Sequence, residues 1–123
     1  MALRYILDEN LWRPLWTAVL RYNAGVLNPL DAIPVGIPPD LPLGSPDPDI
    51  LVWAEREDRI LVSFDRSSLP VCLADHLQAG QHSPGIFLIR PASTLHEVLD
   101  FLVLADQASE PWEWRDRCRF VPF

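Results

Sequence analysis

The sequence predicts a single α/β domain, a three-layer α/β/α sandwich with a mainly parallel central sheet. Three observations carry that expectation. Short apolar runs alternate along the chain with longer segments whose apolar residues recur at helical spacing, a pattern that implies right-handed βαβ crossovers. Two of the runs, Tyr5-Ile6-Leu7 and Ile60-Leu61-Val62-Ser63-Phe64, each lead directly into an aspartate, Asp8 and Asp65. The chain is 123 residues long, which suits one domain with a core of ordinary size, and no internal repeat divides it.

Taken in order, Leu3 to Leu7 reads as a short buried strand. Asn10 is placed to cap a helix over Leu11 to Tyr22, with Pro14 in the first turn, where its missing N–H does little harm, and Gly25 as the stop. Val26-Leu27 starts a second short strand. From Asn28 to Pro48 seven prolines (Pro29, Pro34, Pro38, Pro39, Pro42, Pro46 and Pro48) exclude an internal helix or a central strand, leaving a long loop. Asp47-Pro48-Asp49 then reads as a helix start, with Asp47 as cap and Pro48 at the first helical position, and the helix runs to about Glu57. Arg59 to Phe64 follows as a central strand, Leu69 to Ala79 as a short helix ended by Gly80, and Gly85 to Ile89 as a further strand. Thr94 and Glu97 have the spacing of a capping box for a helix ending near Gln107 or Ala108. Arg117 to Val121 adds an edge strand, after a Trp112/Trp114 pair expected to cover the sheet.

Composition narrows the function classes. Hydrophobic residues at 49% and charged residues at 22% are the balance of a soluble globular protein, and the expected location is the cytoplasm. No apolar run approaches the roughly 18 residues of a membrane span. Seventeen acidic against ten basic residues give a net charge of −7, which opposes non-specific coating of nucleic acid. Every basic residue is arginine. Cys72 and Cys118 stand far apart, outside any metal-binding or redox pattern, so neither a disulfide framework nor a zinc site is expected. His76, His82 and His96 lack mutual ligand spacing and are expected in solvated or capping roles. No nucleophile elbow, phosphate-binding glycine loop or dinucleotide fingerprint occurs.

What remains is the acidic set. In a doubly wound sheet the chain builds outward from its first strand and returns on the other side, so the strands ending at Asp8 and Asp65 flank the switch point where such folds bind ligands. Asp47 opens the helix between them. Carboxylates about 5 Å apart repel by roughly 3 kcal/mol per pair at an effective dielectric of about 20, so the cluster needs a cation, a proton or arginine partners. Mg²⁺ or Mn²⁺ accepts such oxygen ligands and can activate water for phosphoryl chemistry. Arg13, Arg66 and Arg90 fall near the same edge, where they would either hold substrate phosphates or neutralise the acids. Each acid also has a plainer role: Asp8 in a strand-to-helix turn, Asp47 as an N-cap, and Asp65 as a turn residue paired with Arg66.

The residues also resemble a known group. Ile6-Leu7-Asp8-Glu9-Asn10, then Asp47-x-x-Ile50-Leu51-x-x-Ala54, then Ile60-Leu61-Val62-x-x-Asp65, and later Pro84-Gly85-Ile86-Phe87-Leu88-Ile89-Arg90 resemble the small PIN-like proteins of the DUF5615 family. The likeness runs from about residue 3 to residue 105. It implies a PIN-like domain related to metal-dependent ribonucleases, including toxins of toxin–antitoxin pairs, with Asp8, Asp47 and Asp65 at the acidic positions. One departure stands out: relatives read Asp-x-Asp-Phe where this chain has Asp65-Arg66-Ser67-Ser68. Ser67 thus replaces a second carboxylate and is the candidate substitute ligand through water.

Two functional expectations follow. The first is a Mg²⁺- or Mn²⁺-dependent nuclease acting on RNA, with Asp8 and Asp65 as principal ligands and Asp47 completing the site. The second is a non-catalytic interaction module whose acidic edge meets an arginine-bearing antitoxin or other protein partner. Exposed tryptophans also leave room for a homodimer.

Overall fold

The computed structural model describes residues 3–9 and 12–123. Asn10 and Leu11, the expected cap and first residue of the first helix, lie outside the described residues. Five strands, β1 (Arg4–Leu7), β2 (Asp31–Pro34), β3 (Ile60–Ser63), β4 (Ile86–Ile89) and β5 (Cys118–Val121), form one sheet in the order β2-β1-β3-β4-β5. Every neighbouring pair is parallel. The connecting helices are α1 (Trp12–Ala24), α2 (Asp47–Glu57), α3 (Leu69–Gln78) and α4 (Leu95–Ala108). The fold is therefore the expected α/β sandwich with a parallel sheet.

Strand periodicity assigns each side chain to a layer. Tyr5, Leu7, Ile60, Val62, Phe87 and Ile89 point to one face, where they pack with Leu15 and Val19 of α1 and Val98, Phe101, Leu102 and Ala105 of α4. Ile6, Leu61, Ile86 and Leu88 point to the other, against Ile50, Leu51, Trp53 and Ala54 of α2 and Leu69 and Leu73 of α3. Successive strand residues alternate faces, so this follows from the pleat alone. It also places what comes next: Asp8 has the parity of Ile6, and Ser63 that of Leu61, so both start out on the side that α2 and α3 cover.

Several local expectations hold. Thr94 and Glu97 form the reciprocal capping box at the start of α4, with Thr94 Oγ1 accepting from the Glu97 N–H at 3.1 Å and Glu97 Oε1 accepting from the Thr94 N–H at 2.9 Å. Gly85 is needed where it stands. Its φ is +129°, and a Cβ there would lie 2.7 Å from the Trp114 carbonyl oxygen.

Others are corrected. The second strand is Asp31–Pro34 and not Val26-Leu27; Leu27 is 98% exposed and packs on nothing that would reward pairing. The proline density of the loop permits a strand at that place because β2 lies at the sheet edge. The Val35 N–H bonds the Leu7 carbonyl at 2.8 Å, so strand alternation turns the donor-less nitrogen of Pro34 outward. The proline-rich segment therefore contributes structure, and Trp53 Nε1–H donates to Asp40 at 3.0 Å to hold it against α2. The tryptophan pair splits: Trp114 is buried, edge-on to Phe87, while Trp112 is 74% exposed. His76 is buried and not solvated, with Nε2 shared between Glu55 at 3.0 Å and the His82 carbonyl at 2.7 Å.

Candidate functional site

The site lies where β1 and β3 end side by side. The Asp8 N–H continues the ladder by donating to the Val62 carbonyl at 2.9 Å. Beyond that point the backbone of each strand turns away, and their last side chains meet. Ser63 Oγ–H donates to Asp8 Oδ2 at 2.6 Å and accepts from the Asp65 N–H at 3.0 Å, so one buried hydroxyl ties the two strand ends together. The other Asp8 oxygen accepts from the Glu9 N–H at 2.8 Å. A serine at the last position of an apolar strand is buried without apolar reward, and its hydroxyl must find a partner. Asp8 is that partner.

Asp47 and Asp65 meet at a second serine. Ser68 Oγ lies 3.1 Å from Asp47 Oδ2 and bonds Asp65 Oδ2 as well, so a group with one proton stands between two carboxylates. Asp65 Oδ1 accepts the N–H groups of Ser67 at 3.2 Å and Ser68 at 3.0 Å, and the Ser67 hydroxyl at 3.0 Å. Asp65 thus closes the turn that opens α3. Asp47 is not the cap of α2: Pro46 holds that position without a side-chain bond, and Asp47 is the first helical residue. Its carboxylate is released from capping and reaches Ser68 instead.

Two helix N-termini, those of α2 and α3, point into this edge from the same layer. Their partial positive charge offsets part of the repulsion among the acids. The offset is uneven. Burial pushes the Asp8 carboxyl above the usual carboxylate range, against the bonds from Ser63 and Glu9, and the negative charges of Asp47 and Glu9 add to the rise. Asp65 is held below that range, first by the Ser68 hydroxyl and then by the Ser68 amide. Burial, followed by the charges of Asp47, Asp75 and Asp65, also raises the Cys72 thiol one turn along α3, which marks how far the negative field extends.

The three predicted acids are therefore brought to one edge, linked by serines. The predicted arginines fare differently. Arg90 turns away: its Nε–H donates to the Pro122 carbonyl at 2.8 Å and its guanidinium lies over Phe120, on the β5 side of the sheet. Arg66 is exposed and, among the described residues, makes no ion pair with Asp65. Arg13 sits in the first turn of α1. Ser67 serves Asp65 directly. Sequence reasoning missed Ser63, Ser68 and Glu9, whose Oε1 accepts the Gly44 N–H at 2.9 Å and ties the proline-rich loop to the acidic edge. The readable signal for Ser63 was a polar residue ending an apolar strand.

The donors are all hard oxygens, which fits Mg²⁺ or Mn²⁺ better than a thiolate- or imidazole-preferring ion. As the side chains stand, no three Asp, Glu, His or Cys groups among the described residues are gathered as a ready-made metal cage. Mg²⁺ commonly uses only one or two carboxylates with water, and Asp47 and Asp65 are the pair that meets that requirement. No family model, curated protein or solved structure matches this chain.

Proposed function

We propose that the acidic edge is the site of a Mg²⁺- or Mn²⁺-dependent nuclease acting on RNA. One observation carries the reading. Asp47 and Asp65, from separate elements, converge on a single hydroxyl beside a third, buried carboxylate at the switch point of a parallel sheet. Collecting like charges is costly for folding, and a cation binding there recovers that cost. Asp47 and Asp65 hold the cation, and Asp8 stands behind them, oriented by Ser63. A bound divalent cation would supply Lewis-acid stabilisation of a phosphoryl oxygen and a water more easily deprotonated. Asp8, with its raised affinity for a proton, is suited to accept one during phosphodiester cleavage. The net charge of −7 favours a selective encounter over general coating of nucleic acid.

The test is calorimetric titration of Mn²⁺ into the wild type and Asp65→Asn, with cleavage of single-stranded RNA measured in parallel. Binding and cleavage lost together in the variant support the reading. Equal metal binding in both proteins, or cleavage that survives Asp65→Asn, removes it.

A second reading has its own support. Both Asp65 oxygens are already engaged by Ser67 and Ser68, so the edge is closed upon itself without a cation. An interaction module would use such an edge to receive an arginine-bearing antitoxin or regulator, whose bidentate fork can displace serine donors. Co-purification of a basic protein partner with an inactive, metal-indifferent chain favours this reading. Metal-dependent turnover by a monomer counts against it.

A further inference from the structure

A cavity lies at the end of the sheet opposite the acidic edge, among the segments that precede the strands. It encloses about 360 Å³ and is lined by Glu55, Asp58, His82, Glu110, Trp112 and Arg115, together with Ser83 and two prolines. That volume lies at the small end of those that hold metabolites. In a parallel sheet the residues before β3, β4 and β5 all gather at one end, so α2's last turn, the segment before β4 and the 3-10 turn Pro111–Glu113 are brought together by topology.

Most of the polar lining is committed. Glu55 uses both oxygens, one on His76 and one on the His82 N–H at 3.1 Å. His82 Nδ1 pairs with Asp116 at 2.9 Å, and Glu110 accepts within its own capping box. Two charged groups of opposite sign are left over. The Asp58 carboxylate makes no side-chain hydrogen bond or ion pair among the described residues, and the Arg115 guanidinium lends its charge to Asp116 without forming an ion pair there. Trp112 lines the same cavity, with 74% of its surface free and no ring contact among the described residues.

A wall with one unengaged carboxylate, one available guanidinium and one unpacked indole is complementary to a small molecule with an ammonium, a carboxylate and an apolar body. We propose that this cavity binds a free amino acid or a close zwitterionic relative. The ammonium meets Asp58, the carboxylate meets Arg115, and the apolar portion lies on Trp112. A guanidinium suits a carboxylate bidentately, and an indole accepts both apolar and cationic contact. This site is separate from the acidic edge and does not depend on the nuclease reading.

The experiment titrates the full chain calorimetrically with L-phenylalanine, phenethylamine, which lacks the carboxylate, and 3-phenylpropionate, which lacks the ammonium. Phenylalanine is expected to bind roughly ten-fold tighter than either single-charge analogue. Asp58→Asn should reduce phenylalanine to the affinity of 3-phenylpropionate, Arg115→Gln to that of phenethylamine, and Trp112→Ala should weaken all three. Asp58 has φ +56°, which asparagine tolerates, so that variant keeps the turn, and thermal melts of all three verify the fold. No binding of phenylalanine at millimolar concentration, equal binding of the three probes, or binding unchanged in Trp112→Ala overturns the proposal.

Discussion

Arg59, at the start of β3, and Asp8, at the end of β1, are both buried charged side chains, yet they are held in opposite ways. Arg59 meets an opposite charge: Nη1 donates to Asp31 at 2.8 Å and to the Tyr5 carbonyl at 2.9 Å. Asp8 meets a hydroxyl and a backbone amide, with the like charges of Asp47 and Glu9 close by. The same division runs along the two sheet ends. Where the strands begin, Arg59 pairs with Asp31, His76 with Glu55 and His82 with Asp116. Where they finish, carboxylates collect around serines. At the first end these charges, the exposed Asp58 and Arg115 apart, have partners of opposite sign, whereas at the second like charges are gathered and linked through hydroxyls. Burial does not make that distinction, since the two residues are alike at 8% and 9% exposure.

The comparison breaks first at Arg59. Arg59→Met removes the buried bond to the Tyr5 carbonyl and the nearer of the two arginines on Asp31, leaving Arg4 at 3.4 Å, and should cost about 2 kcal/mol in urea unfolding. A loss under about 0.5 kcal/mol would mean that the matched end is not a structural anchor.

Asp65→Ala comes next, at about 1 kcal/mol, because the turn into α3 loses its acceptor. The folded state lowers the Asp65 pKa from 3.8, so its contribution is present above pH 3.8 and is lost as pH falls through the lower folded value. The variant should lack that acid-side component in pH-dependent melts.

Asp8 carries the opposite sign. Its pKa is raised from 3.8 in the fold, so its contribution is full below 3.8 and declines as pH rises through the folded value. Asp8→Asn should therefore stabilise the chain modestly at neutral pH, read as a higher melting temperature than the wild type at pH 7. Destabilisation at pH 7 would show that the ionised form is wanted by the fold and would erase the contrast with Arg59.

The smallest effect is the sharpest probe of the cluster. In Ser68→Ala the Asp65 carboxyl, followed by carbon-detected NMR, should titrate at higher pH than in the wild type, since the hydroxyl is the leading cause of its depression. An unmoved titration would mean that Ser68 does not bridge Asp47 and Asp65.

Much of the fold was legible because apolar periodicity and punctuation act locally. The four helices and the strands after residue 59 sit within a residue or two of expectation, and the Thr94 capping box is reciprocal as its spacing requires. β2 was misplaced because Val26-Leu27 looks more like a strand than Asp31-Ala32-Ile33-Pro34 does. Pairing with β1 at an edge overrode both propensity and proline. The acids were visible from topology. Their serine links were not, since Ser63 and Asp8 are 55 residues apart and only strand register brings them together. Asp47 was misread as a cap for a related reason: Asp-Pro-Asp favours that role locally, and the competing bond to Ser68 spans 21 residues. His76 was expected in a solvated or capping role because nothing near it in sequence announces Glu55.

The outward nitrogen of Pro34 has a counterpart across the sheet, where Pro122 follows β5 directly. Each outer strand is thus bordered by a residue that cannot donate to a neighbouring chain. Unpaired strand edges are otherwise a template for edge-to-edge association. Each of these prolines removes one donor from an outer margin, which weakens strand addition there.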